Sequence, residues 1–162
     1  MDRKIGNLSS RDLKKIMQLF VEITNGKFHE FSLIAIKNSD GKYLQKFDER
    51  WTCWLFPYTR STENNKENVD HYVSGLLKTP IITRYVTNAK HCKYSVSDDA
   101  YKIYDHKLYE VLLSSVPDNM TANEFCIDGI RYKWMSVAEL EKNEDVMKKN
   151  EDIIAFVKTK CL

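Results

Sequence analysis

The sequence predicts a single α+β domain, and three observations carry that reading. The chain has 162 residues, enough to bury one sizeable core. Apolar residues recur at helical spacing near both ends. Between those ends lie short apolar runs separated by turn-forming residues, with no internal repeat and no long linker.

At the N-terminus Leu13, Ile16, Met17, Phe20 and Val21 follow helical spacing. Ser9 and Ser10 are candidate N-caps, and Gly26 stands where a helix should stop. The expectation is a helix that packs this stripe on the domain. Phe31–Ile36 (FSLIAI) and Tyr43–Phe47 flank the turn KNSDGK and read as a hairpin. Trp51–Phe56 (WTCWLF) reads as a strand ending at Pro57, which has no N–H for a ladder. Ser61–Asn68 (STENNKEN) reads as a polar loop. Val69–Lys78 then places Val69, Tyr72, Val73, Leu76 and Leu77 on one helical face, weakened at Gly75 and closed by Pro80.

Strands are expected at Ile81–Thr87, Tyr94–Val96, Tyr101–Tyr104 and Leu108–Leu113, with a turn at Asp105-His106. Glu124–Ile127 and Ile130–Met135 form a second hairpin about Asp128-Gly129. Ser136 and Glu139 fit a capping box that opens a short helix. Val146 to Val157 is the last helix, with Val146, Met147, Ile153, Ile154 and Val157 on its apolar stripe.

Composition narrows the function classes. A net charge of +2 is too small for non-specific binding of DNA, RNA or a membrane surface, though a few local cations can hold one anionic ligand. The four cysteines, Cys53, Cys92, Cys126 and Cys161, show no CxxC spacing, and no His-x-x-x-His follows. The neighbours His91 and Cys92 point apart along a chain. The expectation is free thiols in a reducing cytosol, no metal and no cofactor. No signal peptide and no membrane-length apolar run is present, and neither a glycine-rich phosphate loop nor a nucleophilic triad can be read.

Some residues break their local pattern. Asn150 falls on the apolar stripe of the last helix, where a buried amide must find partners. It either ties the helix to nearby backbone or faces a pocket and reads the edge of a polar ring. Arg60, Arg84 and Arg131 lie in or just after strands, and are either solvated or able to clamp phosphate in a bidentate fork. Arg60 is the best placed, following Trp54, Phe56 and Tyr58. The acidic group Glu139, Glu141, Glu144 and Asp145 suits a helix N-terminus without a metal.

With these elements in order, the chain resembles the Nudix hydrolase fold from about Phe31 to Lys158. The matching pieces are the hairpin FSLIAIKNSDGKYLQKF, the strand WTCWLFP, the helix VDHYVSGLLKTPI and, most specifically, GIRYKWMSVAELEKNEDVMKKNEDIIAFV. The resemblance implies an α/β/α sandwich with a mixed central sheet, here with an additional N-terminal helix. The domain expected is 1–162, with a helix over 9–29 and a Nudix-like core over 31–158.

The departure from the family lies in its signature. There the proline is followed by two glycines, then a spaced Glu and an Arg-Glu-x-x-Glu-Glu run whose carboxylates hold a divalent cation. Tyr58 and Thr59 stand in place of the glycines, and HYVSGL (His71–Leu76) carries no carboxylate. Hydrolysis by the usual route is not expected. What the resemblance retains is a nucleotide pocket. It maps base stacking onto Phe56, with Trp54 and Tyr104 beside it, base reading onto Asn150, and phosphate contacts onto Arg60, Arg84 and His106, with Tyr58 in the rebuilt turn.

A degenerate domain with a leading helix resembles the SMODS-associated Nudix domains of bacterial CBASS-type antiphage systems. That resemblance implies a cytoplasmic sensor for a cyclic di- or trinucleotide, joined to the inner membrane only through a segment outside this chain, and compatible with a homo-oligomer. Two other readings stay open: a hydrolase with relocated acids such as Glu63, Asp70 and Glu139, and a protein-interaction scaffold.

Overall fold

The computed structural model describes residues 9–25, 28–95 and 98–161. Gly26 and Val96, given roles in a helix stop and a strand, lie outside the described residues. The chain divides into two units, one formed by 1–30 and 89–106 and the other by 31–88 and 107–162.

In the larger unit, β1 (His29–Lys37, from Phe31 onward) pairs antiparallel with β2 (Tyr43–Asp48) across the Asn38–Lys42 turn. Asn38 builds that turn by accepting from the N–H groups of Asp40 (3.1 Å) and Lys42 (2.9 Å), as Asx side chains do. β3 is only Cys53–Leu55, because Trp51 and Thr52 form a turn in which Thr52 has φ 53°. β4 (Tyr58–Arg60) resumes after Pro57 and pairs with β1.

Helix α2 runs Asn65–Leu77, taking in the second half of the expected polar loop. It ends before Pro80, at Lys78, whose left-handed φ of 55° turns the chain. β7 (Glu124–Ile127) and β8 (Ile130–Met135) close through Asp128 (φ 51°) and Gly129 (φ 79°). Two successive positive φ values match the right-handed twist of a two-residue hairpin.

Ser136 caps α3 (Val137–Lys142), accepting from the Glu139 N–H at 3.1 Å, and Asn143 caps α4 (Glu144–Lys160). With β5 (Arg84–Ser95) and β6 (Ala100–Leu112), the strand order is β5-β6-β1-β2-β8-β7, with β3 added to β2 and β4 to β1. It is a mixed sheet in a Nudix-type sandwich, as the sequence predicts.

Successive strand residues face opposite ways. Ile34, Ile36, Leu44, Tyr109, Val111, Tyr132 and Trp134 form one core with Val69, Val73 and Leu77 of α2. The alternate residues Leu33, Ala35, Tyr43, Leu108 and Met135 are also buried, as are Val146, Ile153, Ile154, Phe156 and Val157 of α4. The two layers of helix therefore enclose a sheet that is apolar on both faces.

β5 (Arg84–Ser95) and β6 (Ala100–Leu112) correct the expectation of four short strands. Asp105 and His106 lie inside β6 instead of forming a turn. Their polarity suggests a break, but a strand covered on one side alternates polar with apolar positions and needs none.

The smaller unit holds α1 (Ser10–Asn25) with Ala89–Ser95 and the first part of β6. Ser9 caps α1 reciprocally with Asp12: Ser9 Oγ accepts from the Asp12 N–H (3.1 Å) and the Ser9 N–H reaches Asp12 Oδ2 (3.3 Å). The expectation that its apolar stripe packs on the domain is overturned. Leu13, Ile16, Met17, Phe20 and Val21 are all exposed.

Asn65 locks the α2 N-terminus to the sheet. Its buried amide donates to Ser32 Oγ (2.7 Å) and Tyr109 Oη (2.9 Å), and its Oδ1 accepts from the Thr62 N–H (3.2 Å). Asn65→Ala should destabilise the protein by about 1–3 kcal/mol, because it removes the donor to buried Tyr109 Oη and leaves Ser32 Oγ with Ser61 alone. Urea unfolding monitored by circular dichroism measures this.

Candidate functional site

The stretch from Trp54 to Arg60 leaves β3, passes Pro57 and enters β4. Trp54 is 8 % exposed and sits edge-to-face on Phe47 (centroids 5.2 Å). The Arg131 guanidinium covers both rings, 4.7 Å from Phe47 and 5.3 Å from Trp54, and Lys133 lies 5.9 Å from Trp54. Phe56 is 3 % exposed and meets Tyr43 edge-on at 5.7 Å. Both rings are therefore packed, Trp54 on Phe47 beneath Arg131 and Phe56 on Tyr43.

Tyr58 is half-buried against Phe31 (5.7 Å), and its hydroxyl accepts from Arg50 Nη2 at 3.1 Å. Arg60, at the end of β4, is exposed.

Arg84 is not a solvated cation. Its Nε donates to Glu110 Oε1 at 2.8 Å, and Nη2 joins the same oxygen. Glu110 is 3 % exposed, so the pair places a buried anion under a half-exposed cation. The second oxygen, Oε2, meets no nitrogen or oxygen donor among the described residues. The Cys161 thiol lies against this carboxylate. Burial first, then Glu110, pushes its pKa from an ordinary 9.0 up to about 12. Burial likewise raises Tyr43 to about 12, with Cys161 and Glu110 adding to the effect. Lys37 lies 5.6 Å over the Tyr43 ring. Gln45 is also fully buried, with its amide nitrogen on Leu44 O and its Oε1 without a donor among the described residues.

Asn150 is half-buried, and α4 breaks helical geometry there, with φ −139° and ψ 29°. The position is thus a break in the apolar stripe and not a member of it. Asparagine suits such a break because its side chain competes with the helix for backbone groups.

Tyr104 and His106 belong to the smaller unit. Tyr104 stacks on His106 (6.0 Å, 13°) and is tilted on His29 (5.4 Å). His106 Nδ1 lies 3.0 Å from His91 Nδ1.

Trp54, Phe56, Tyr58 and Arg60 thus follow one another through β3, Pro57 and β4 with separate partners, and Tyr104 meets His106 in the other unit. The structure gives Arg84 to a partner that sequence reasoning missed. The clue to Glu110 was legible: a lone carboxylate inside the apolar run LYEVLL breaks strand patterning.

Of the acids weighed as relocated metal ligands, Asp70 and Glu139 have structural partners, and Glu63 is exposed. Asp70 Oδ1 accepts from the Thr83 N–H at 2.9 Å and from its hydroxyl, and Oδ2 accepts from Lys66 Nζ at 2.8 Å. Burial would raise its pKa, but these donors hold the carboxyl below its usual range. Glu139 shows the same opposition: burial is outweighed by Lys42 (3.3 Å) and Ser136, and the carboxyl is held down. No group of three or more His, Cys, Asp or Glu side chains able to hold a metal occurs among the described residues.

No family model and no curated protein matches the sequence. Solved structures do match. The chain resembles the MutT protein from Methanosarcina mazei Go1 at 13 % identity and TM-score 0.54, covering 82 % of this chain and 94 % of that one. It resembles the C-terminal domain of mouse MUTYH, solved in complex with human PCNA, at 12 % identity and TM-score 0.51, covering 83 % and 92 %. It also resembles the NUDIX domain of Shewanella oneidensis NrtR, solved with ADP ribose, at 12 % identity and TM-score 0.50, covering 82 % and 88 %. The chain has the Nudix fold. In α2 Asp70 is already engaged by Thr83 and Lys66, so the divalent cation of hydrolases with that fold would have to displace Lys66 to reach it.

The raised thiol and phenol carry a stability consequence. Above pH 9 an unfolded Cys161 loses its proton while the folded one keeps it, so the unfolded state gains. Stability should be complete below pH 9 and fall as pH rises toward about 12, with Tyr43 adding to the loss from pH 10. Cys161→Ala should flatten the first part of that decline, as read from unfolding midpoints across the alkaline range.

Proposed function

We propose that this chain is a non-catalytic nucleotide-sensing module. Its ligand is a cyclic di- or trinucleotide second messenger of bacterial antiphage defence, and it serves as the cytoplasmic sensing part of a longer membrane effector. The observation that carries the non-catalytic half is Asp70. In the helix that would hold a hydrolase's metal, the one carboxylate facing the following segment ties that segment down through Thr83. One amide, one hydroxyl and one ammonium already engage this carboxylate, so a cation would have to displace the Lys66 ammonium from Oδ2.

The binding half is supported by the fold, by the residues of the rebuilt turn and by the NrtR domain of similar structure, which holds ADP ribose. Arg60 is the exposed cation of the turn and would meet phosphate, with Tyr58 beside it. Arg84 would contact phosphate while anchored on Glu110, and Asn150 at the α4 break would read a base edge. Trp54 and Phe56 would support the site from beneath. Tyr104 and His106 stay in the proposal as ring and phosphate contacts.

Calorimetry against a panel of cyclic di- and trinucleotides should find one member that binds in the micromolar range or tighter, about −8 kcal/mol. Arg60→Ala should weaken it roughly tenfold by removing a charge-assisted hydrogen bond. A folded sample that binds none of the panel overturns the proposal. Incubation with nucleoside diphosphate derivatives and magnesium or manganese should give no turnover. Turnover abolished by Glu63→Gln, Asp70→Asn or Glu139→Gln would establish the hydrolase reading instead.

A second reading, a protein-interaction scaffold, is favoured by the packing of Phe56 on Tyr43 and of Trp54 on Phe47, which fills positions where a base would stack. It predicts a flat calorimetric response to every nucleotide.

A further inference from the structure

Helix α1 is docked within its own unit by the wrong side. Its polar face meets Tyr101: Arg11 Nε donates to the hydroxyl (3.1 Å), the Tyr101 N–H donates to Gln18 Oε1 (2.8 Å), and Lys15 lies 5.2 Å over the ring. Its apolar face is solvent-accessible, with Leu13, Ile16, Met17, Phe20, Val21 and Ile23 between 49 % and 69 % exposed. A surface helix ordinarily has the reverse orientation.

Leu13, Ile16, Phe20 and Ile23 follow one another at intervals of three, four and three residues, the spacing of a seam between two helices. With large side chains of about 150–200 Å² each, the patch amounts to roughly 600 Å², at the upper limit of what monomers leave open. Two such patches face to face would bury about 1,200 Å², the lower bound of a stable specific interface.

We propose that α1 is a dimerisation helix, pairing antiparallel with α1 of a second copy through Leu13, Ile16, Phe20 and Ile23, with Met17 at the edge of the seam. A two-fold axis makes one patch complementary to itself.

A lipid surface is the poorer occupant. Helices that lie on membranes raise lysines and arginines from the polar face toward the headgroups. Here Arg11 and Lys15 are held on Tyr101, away from Leu13, Ile16, Phe20 and Ile23.

Sedimentation equilibrium of the whole chain over about 1–100 μM should show a monomer–dimer equilibrium. The double variant Ile16→Glu, Met17→Glu should raise the dissociation constant at least about 100-fold while leaving helix content by circular dichroism unchanged. Should that variant fail to fold, Met17→Gln with Ile23→Gln should weaken the dimer about tenfold. A wild-type chain that stays monomeric throughout overturns the proposal. So does a dimer that withstands the seam variants, or sedimentation with anionic vesicles by a chain that does not self-associate.

Discussion

The larger unit is organised around one buried anion. Glu110 sits in a strand of tyrosine, valine and leucine, and a carboxylate there is costly unless it is paired. Arg84 supplies the pairing and thereby fixes the start of β5 against β6. The other side of the carboxylate meets Cys161, at the end of α4, so the last helix terminates against the same charge. Tyr43 completes the surroundings and carries the contact on to Phe56 and the rebuilt turn. Strand, closing helix and turn are thus referred to a single negative group, which must keep both its cation and its neutral neighbours.

The same economy appears on α2. A helix that in related folds would present acids to a cation here presents Val69, Val73 and Leu77 to the core. Its one inward-turned acid ties down the approach to β5 through Thr83. Ser74 adds a second clasp by exchanging hydrogen bonds with the backbone of Ile81. The segment between α2 and β5 is thereby held at two points, Ile81 and Thr83.

Much of this was legible from residue patterns. The two hairpins, the capping serine at Ser136 and the last helix depend on local rules, turn residues and periodicity, and they stand where the sequence predicts. The length of β5 and β6 was not legible, because polar alternation in a strand and polar turn residues look alike until neighbours are known. The early start of α2 was hidden for a similar reason: Asn65 is a polar letter in a polar run, and only Ser32 and Tyr109 make it a core residue. For the site, the turn and its arginine could be named, but the partner of Arg84 depends on a strand 26 residues away. The orientation of α1 was the plainest failure. Periodicity identifies an apolar face without saying which way it looks.

The pair His91 and His106 has a consequence that lies in proton bookkeeping. Two Nδ1 atoms 3.0 Å apart bond only if one carries hydrogen and the other a lone pair. If both rings are neutral, they hold opposite tautomers, and their remaining nitrogens differ, one a bare acceptor and the other a donor. Two chemically identical side chains are thereby made unlike, and a short polar axis is written across the strands that carry them.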